Sequence, residues 1–157
     1  MKETTKVGLK TIITEKVIRN GKVILKQVSE NLTPNTGLAA FIKRLGGDGS
    51  TAAFTYIALG TGTTAAAVGD TTLETEITDS GLARASATVS YETTTTTGDT
   101  LQLVKEFTAT GAKSVSEIGI FNDATTGTLG GRVVKTAVPL EADDIYQVTY
   151  QVILSRA

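Results

Sequence analysis

The chain has 157 residues, 40% hydrophobic and 20% charged, with a formal net charge of −1, enough for one domain with a real core. It carries no cysteine and no histidine, which excludes disulfides, thiolate nucleophiles and the commonest general base, metal ligand and near-neutral proton switch. Threonine supplies 29 residues and proline only two, and a β-branched side chain suits a pleated strand, so an all-β fold is expected.

The small net charge conceals a division. From Met1 to Arg44, seven lysines and two arginines face three glutamates, leaving +6; from Leu45 onward, six basic residues face thirteen acidic ones, leaving −7. A basic first third on an acidic body predicts an electrostatic contact with a neighbouring subunit or an anionic partner, against the plainer reading of a solvated hairpin. No apolar run of about 18 residues is present, so no membrane span is expected. Met1 to Lys6 lead into no apolar segment, so no secretory signal is expected and the chain should stay in the cytoplasm or leave inside an assembly.

Val7 to Val28 read as a β-hairpin turned at Asn20-Gly21, the pair that best accepts positive φ at both centres of a type I′ turn. Lys10, Glu15, Lys16, Arg19, Lys22 and Lys26 interleave with apolar residues, which predicts one wet face. Two strands alone are marginal in water, so the hairpin must dock on its own body or on another subunit. Thr33-Pro34 opens a helix, with Thr33 as cap, Pro34 in its first turn and Leu38, Phe41, Ile42 and Leu45 at helical spacing before Gly46-Gly47. This helix should cover one end of a sheet.

Phe54 to Leu59 read as a short buried strand, followed by Gly60-Thr-Gly62, where missing Cβ atoms permit a sharp turn. Asp70 is placed to cap a short helical turn running to Glu76. Ala83 to Glu92 alternate, the threonines from Thr93 to Thr97 form an exposed tip, and Leu101 to Phe107 return as the partner strand. Val115 to Phe121, Leu129 to Leu140 and Tyr146 to Leu154 complete the set. The last is long, alternating and apolar on one side, so it belongs in the middle of a sheet. About eight antiparallel strands in a sandwich or barrel result, with residues 1–30 as a basic hairpin arm and 31–157 as the body.

No stretch names a reaction. Gly60-Thr-Gly62 lacks the lysine and amphipathic helix of a phosphate loop. Glu74 with Glu76, and Glu141 with Asp143, sit beside turns, and paired carboxylates catalyse only when held in a concave site. Asp143-Asp144 and Asn122-Asp123 lack the alternating oxygen ligands of a calcium loop. Glu117, inside an apolar strand, either faces outward or is buried against a basic residue such as Arg84 or Arg132. A structural ion pair is the favoured reading. The hairpin lacks aromatic residues to stack bases and the acidic body repels phosphates, so no nucleic acid is expected. No enzyme, metal or cofactor is expected.

The order Asn31-Leu-Thr33, Ile57-Ala-Leu-Gly-Thr-Gly-Thr-Thr64, Asp70-Thr-Thr-Leu-Glu-Thr-Glu76, Arg84 and Glu117-Ile-Gly-Ile-Phe121 resembles a group of tailed-bacteriophage and prophage virion structural proteins. Gly130-Gly-Arg132 stands where that group has its penultimate strand, and the likeness runs from about Gly21 to the C-terminus. Ala66 replaces a usual proline and Ile120 a usual leucine. The resemblance implies a virion component with an antiparallel β core, in which Gly60, Gly62, Asp70, Arg84, Glu117 and Arg132 are structural. Such components resemble both tail-associated parts and capsid decorators. The basic first third on an acidic body favours the expectation of a capsid decoration protein, trimeric, whose partners are the major capsid protein or adjacent copies. Lys2, Lys6, Lys10, Lys16, Arg19, Lys22 and Lys26 would make the contact. The alternative is a tail-fibre or baseplate module with the threonine tip toward a receptor; a carbohydrate-binding domain lacks aromatic platforms.

Overall fold

Alternation at period two carries most of the chain into strands. The computed structural model describes residues 6–156. In order come β1 (Val7–Arg19), β2 (Lys22–Glu30), α1 (Asn35–Leu45), β3 (Tyr56–Gly60), β4 (Ala85–Ser86), β5 (Thr88–Glu92), β6 (Thr100–Thr108), β7 (Lys113–Phe121), β8 (Leu129–Leu140) and β9 (Ile145–Arg156). Two antiparallel sheets result, one ordered β2-β1-β9-β6-β5 and the other β4-β3-β7-β8. This is the all-β sandwich with one short helix that the sequence predicts.

The last strand is central, as its length and alternation require. Tyr146, Val148, Tyr150 and Val152 of β9 are buried between the sheets with Ile13, Val17, Leu103 and Phe107. Ile57, Leu59, Ile118 and Ile120 meet them from the second sheet. Each such side chain fully withdrawn from water contributes about 1.5–3 kcal/mol.

Asn20 and Gly21 turn the hairpin at φ 50° and 74°, the left-handed geometry expected of them. The boundary expected at residue 30 does not separate two bodies. β1 pairs with β9 over twelve residues, from Val7 opposite Arg156 to Ile18 opposite Ile145, and Ile13 and Val17 join the common core. β2 remains as the outer edge.

Three local expectations change. The alternating run from Ala83 to Glu92 is two strands, not one. Ala85–Ser86 pair with β3 in one sheet and Thr88–Glu92 with β6 in the other, and Ala87 N–H donates to Thr55 O at the crossing (2.8 Å). In α1 the cap position falls to Pro34, with no side-chain cap bond. The helix seats its small residues Gly37 and Ala40, while Leu38, Ile42 and Leu45 stay exposed. Gly37 lies so close to Gly130 that a Cβ would come 2.7 Å from its carbonyl oxygen. Finally, the segment after Asp70 forms no helical turn.

Candidate interaction surface

β7 is buried on both sides: Ile118 and Ile120 enter the main core, while Phe121 packs in a second cluster with Ala58, Leu73 and Leu129. Between Gly60 and Leu82 the chain forms a long cover lying over the outer side of this sheet. Leu73 sits on Gly119, where a Cβ would come within 2.8 Å of its Cδ2.

Glu117 holds that cover down. Its fully buried carboxylate accepts Gly62 N–H (3.1 Å) and Thr75 N–H (2.7 Å) on Oε1, and Glu74 N–H (3.1 Å) and Arg132 Nε (3.0 Å) on Oε2. Of the two arginines open to it in the sequence, Arg132 is the partner. Arg132 continues to Asp70 Oδ2 (2.8 Å) and the Thr64 carbonyl (3.1 Å). Asp70 also accepts Ala67 N–H (2.9 Å), so it closes a turn rather than capping a helix. That backbone bond, then Arg132, holds its carboxyl below the usual range against the opposing cost of burial. Glu74 is held low by the Thr64 N–H and also binds Thr63 N–H (2.8 Å).

The two glycines of the motif are needed for room, not for a turn. Neither takes a positive φ. A Cβ on Gly60 would run into the Glu117 carboxylate, and one on Gly62 would lie 2.6 Å from Glu117 Oε1. Arg84 grips Glu76 through two bonds (2.8 and 2.6 Å), lies 3.5 Å over the Phe121 ring and donates to the Thr126 carbonyl (2.7 Å). Every structural residue singled out in the sequence belongs to this clamp or borders it. Its carboxylates are occupied by backbone amides and arginines.

One polar cluster escaped the sequence reading. Glu15, counted there among wet-face residues, points inward. Lys135 Nζ reaches its Oε1 (2.8 Å) and the Val115 carbonyl (3.0 Å), Gln27 Nε2 donates to its Oε2 (3.0 Å), and the Tyr146 hydroxyl also bonds it. Burial pushes the Lys135 pKa down. The available signal was the register, since Glu15 shares its parity with Ile13 and Val17.

The remaining charge lies outside. Among the predicted contact residues, Arg19 is engaged within the chain: it forks onto buried Asp144 (2.7 and 2.8 Å) and reaches Glu141 (3.2 Å). Lys10 pairs with exposed Glu30 (2.9 Å), Lys16 stands opposite Lys26, and Lys6 and Lys22 are exposed. Lys2 lies outside the described residues. Lys10, Lys16 and Lys26 alternate with the buried positions, so they share the outer face of the five-stranded sheet. The middle of that face is a row of Val28, Thr14, Thr149, Val104 and Thr88 set side by side across all five strands. Glu106 and Glu92 stand on the opposite flank.

Elsewhere, Asp99 shapes the threonine tip by accepting the N–H groups of Thr94, Thr95 and Thr96 at 2.8–2.9 Å, bonds that hold its carboxyl low. An open apolar groove of roughly 500 Å³ lies beside α1, lined by Phe41, Phe54, Tyr91, Leu101 and Leu154 among others. Among the described residues no three acidic side chains gather as a metal cage, and no helix is long and apolar enough to cross a membrane. No family model, curated protein or solved structure matches the chain.

Proposed function

We propose that the chain is a structural component of a tailed-bacteriophage particle, a trimeric capsid decoration protein that holds the shell or adjacent copies through its basic hairpin. One observation carries this reading. The motif residues that resemble virion proteins spend their charges on fixing the Gly60–Glu76 cover, while the hairpin lysines face solvent on a broad sheet surface. A protein arranged this way works by contact, and its chemistry is adhesion between surfaces. A cationic flank on a β face whose middle row is uncharged suits an acidic protein neighbour.

The test is titration of the purified chain onto shells stripped of it. Binding should saturate and weaken with salt, and Lys16→Glu with Lys22→Glu should lower affinity about tenfold or more, since like-charge contacts cost several kcal/mol. A chain that ignores shells but binds host cells through the tip at Thr93 to Thr97 is instead a tail-fibre or baseplate module, the reading that the preformed tip favours. Turnover of a polysaccharide would discard both.

A further inference from the structure

We propose that β2 is a self-pairing edge, at which two copies of this chain join their five-stranded sheets around a twofold axis through Val28. The argument starts from what guards the edges. An unpaired strand edge is guarded when it is short, bulged, charged (above all by lysine), interrupted by proline or covered. The charges of β2 guard it only against a partner that does not complement Lys26 and Glu30. β4 has two residues, β5 has five, and β8 carries Pro139. β2 has nine residues, no proline and no partner beyond β1 among the described residues. Its bulge lies near the hairpin tip, beside Val17 and Ile18, leaving the pairing with β1 from Leu25 to Glu30 regular.

The occupant follows from charge. On the outer face of that regular stretch stand Lys26, Val28 and Glu30, all exposed, with Val28 at 61%. Antiparallel pairing about Val28 places Val28 on Val28 and sets Lys26 of each copy opposite Glu30 of the other, with Gln27 opposite Ser29 on the inner face. Opposite charges and β-branched pairs set directly across a ladder both stabilise it. Sliding by one pair sets Lys26 or Glu30 against Val28. Sliding by two sets lysine on lysine or glutamate on glutamate, so a single register satisfies the strand.

Joining β2 to β5 of a neighbour is the competing arrangement. Counting antiparallel steps across the sheet, β2 and β5 run the same way, so a ring of copies about an axis along the strands would pair them in parallel, the weaker ladder. The twofold pairing keeps it antiparallel. It extends the outer row of Val28, Thr14 and Thr149 into a second copy and links Glu30, already bonded to Lys10, to a second lysine.

Sedimentation equilibrium of the isolated chain, with no shell present, tests this independently of the capsid reading. The expected result is a reversible step that doubles the particle mass. Each reversal, Lys26→Glu or Glu30→Lys, occurs twice per pair and should weaken the step about tenfold. The double variant should restore it, and Val28→Lys should abolish it. Unchanged circular dichroism and melting would show that these exposed substitutions leave the fold intact. Failure to associate at millimolar chain, association indifferent to both reversals, or a double variant that stays weak would each overturn the proposal.

Discussion

Gly60 and Gly62 were legible as special in the sequence, but for the wrong reason. Sequence reasoning assigns a glycine to a turn, whereas these two make space for a carboxylate 57 and 55 residues away in the chain. Glu117 itself could be read as buried, because it interrupts an apolar strand. Which arginine met it could not be read, because that depends on the β7–β8 register, where Glu117 faces Val134 and Arg132 faces Gly119. Replacing this carboxylate by an amide removes the charge facing Arg132 and turns an N–H donor toward groups that are themselves donors. A buried pair broken on one side costs about 3–5 kcal/mol. We expect Glu117→Gln to lower stability by about 3 kcal/mol by urea titration, with faster hydrogen exchange at Gly62, Glu74 and Thr75. Equal exchange at those amides would show that the cover is held by something else.

At the scale of elements, patterning located β7 as readily as β1 and β9, but it did not say which neighbours or which sheet each strand meets. β1 and β9 alternate because their outer face meets solvent; β7 does not, because the cover buries its second side. The same limit hid the break at Ala87, since a strand that changes sheets keeps its alternation while changing partners. The helix, too, was legible only in part: of the apolar positions of α1, Phe41 packs on the core against Phe54, while close backbone approach seats Gly37 and Ala40 and leaves Leu38, Ile42 and Leu45 exposed. The cover is a loop by its torsions and a layer by its packing. Leu73, 3% exposed, is its apolar anchor in the second cluster. We expect Leu73→Ala to cost about 3 kcal/mol, the cost of an unfilled core cavity, and to expose the amides between Thr61 and Glu76 to exchange well before those of β9. A uniform loss of protection across both sheets would argue that the cover and the sandwich open as one unit.

For the whole molecule, the charge division between the basic first third and the acidic remainder does not mark a mechanical division. Residues 1–30 carry seven of the chain's fifteen basic residues, but the hairpin enters the sheet beside the central strand and is tied at its tip by Arg19 to buried Asp144. Removing residues 1–30 would expose one side of β9 along twelve paired positions. It would strip Ile13 and Val17 from the core and leave Lys135 buried without Glu15, an uncompensated charge that alone costs several kcal/mol. A domain of this size has a net stability of only about 5–15 kcal/mol. The truncated chain is therefore expected to lose cooperative unfolding and near-ultraviolet circular dichroism, and to be recovered as aggregate. If it instead melts cooperatively as a soluble monomer, the hairpin is a separable arm after all. The basic surface has to be probed by single charge reversals because the strand displaying it also completes the fold.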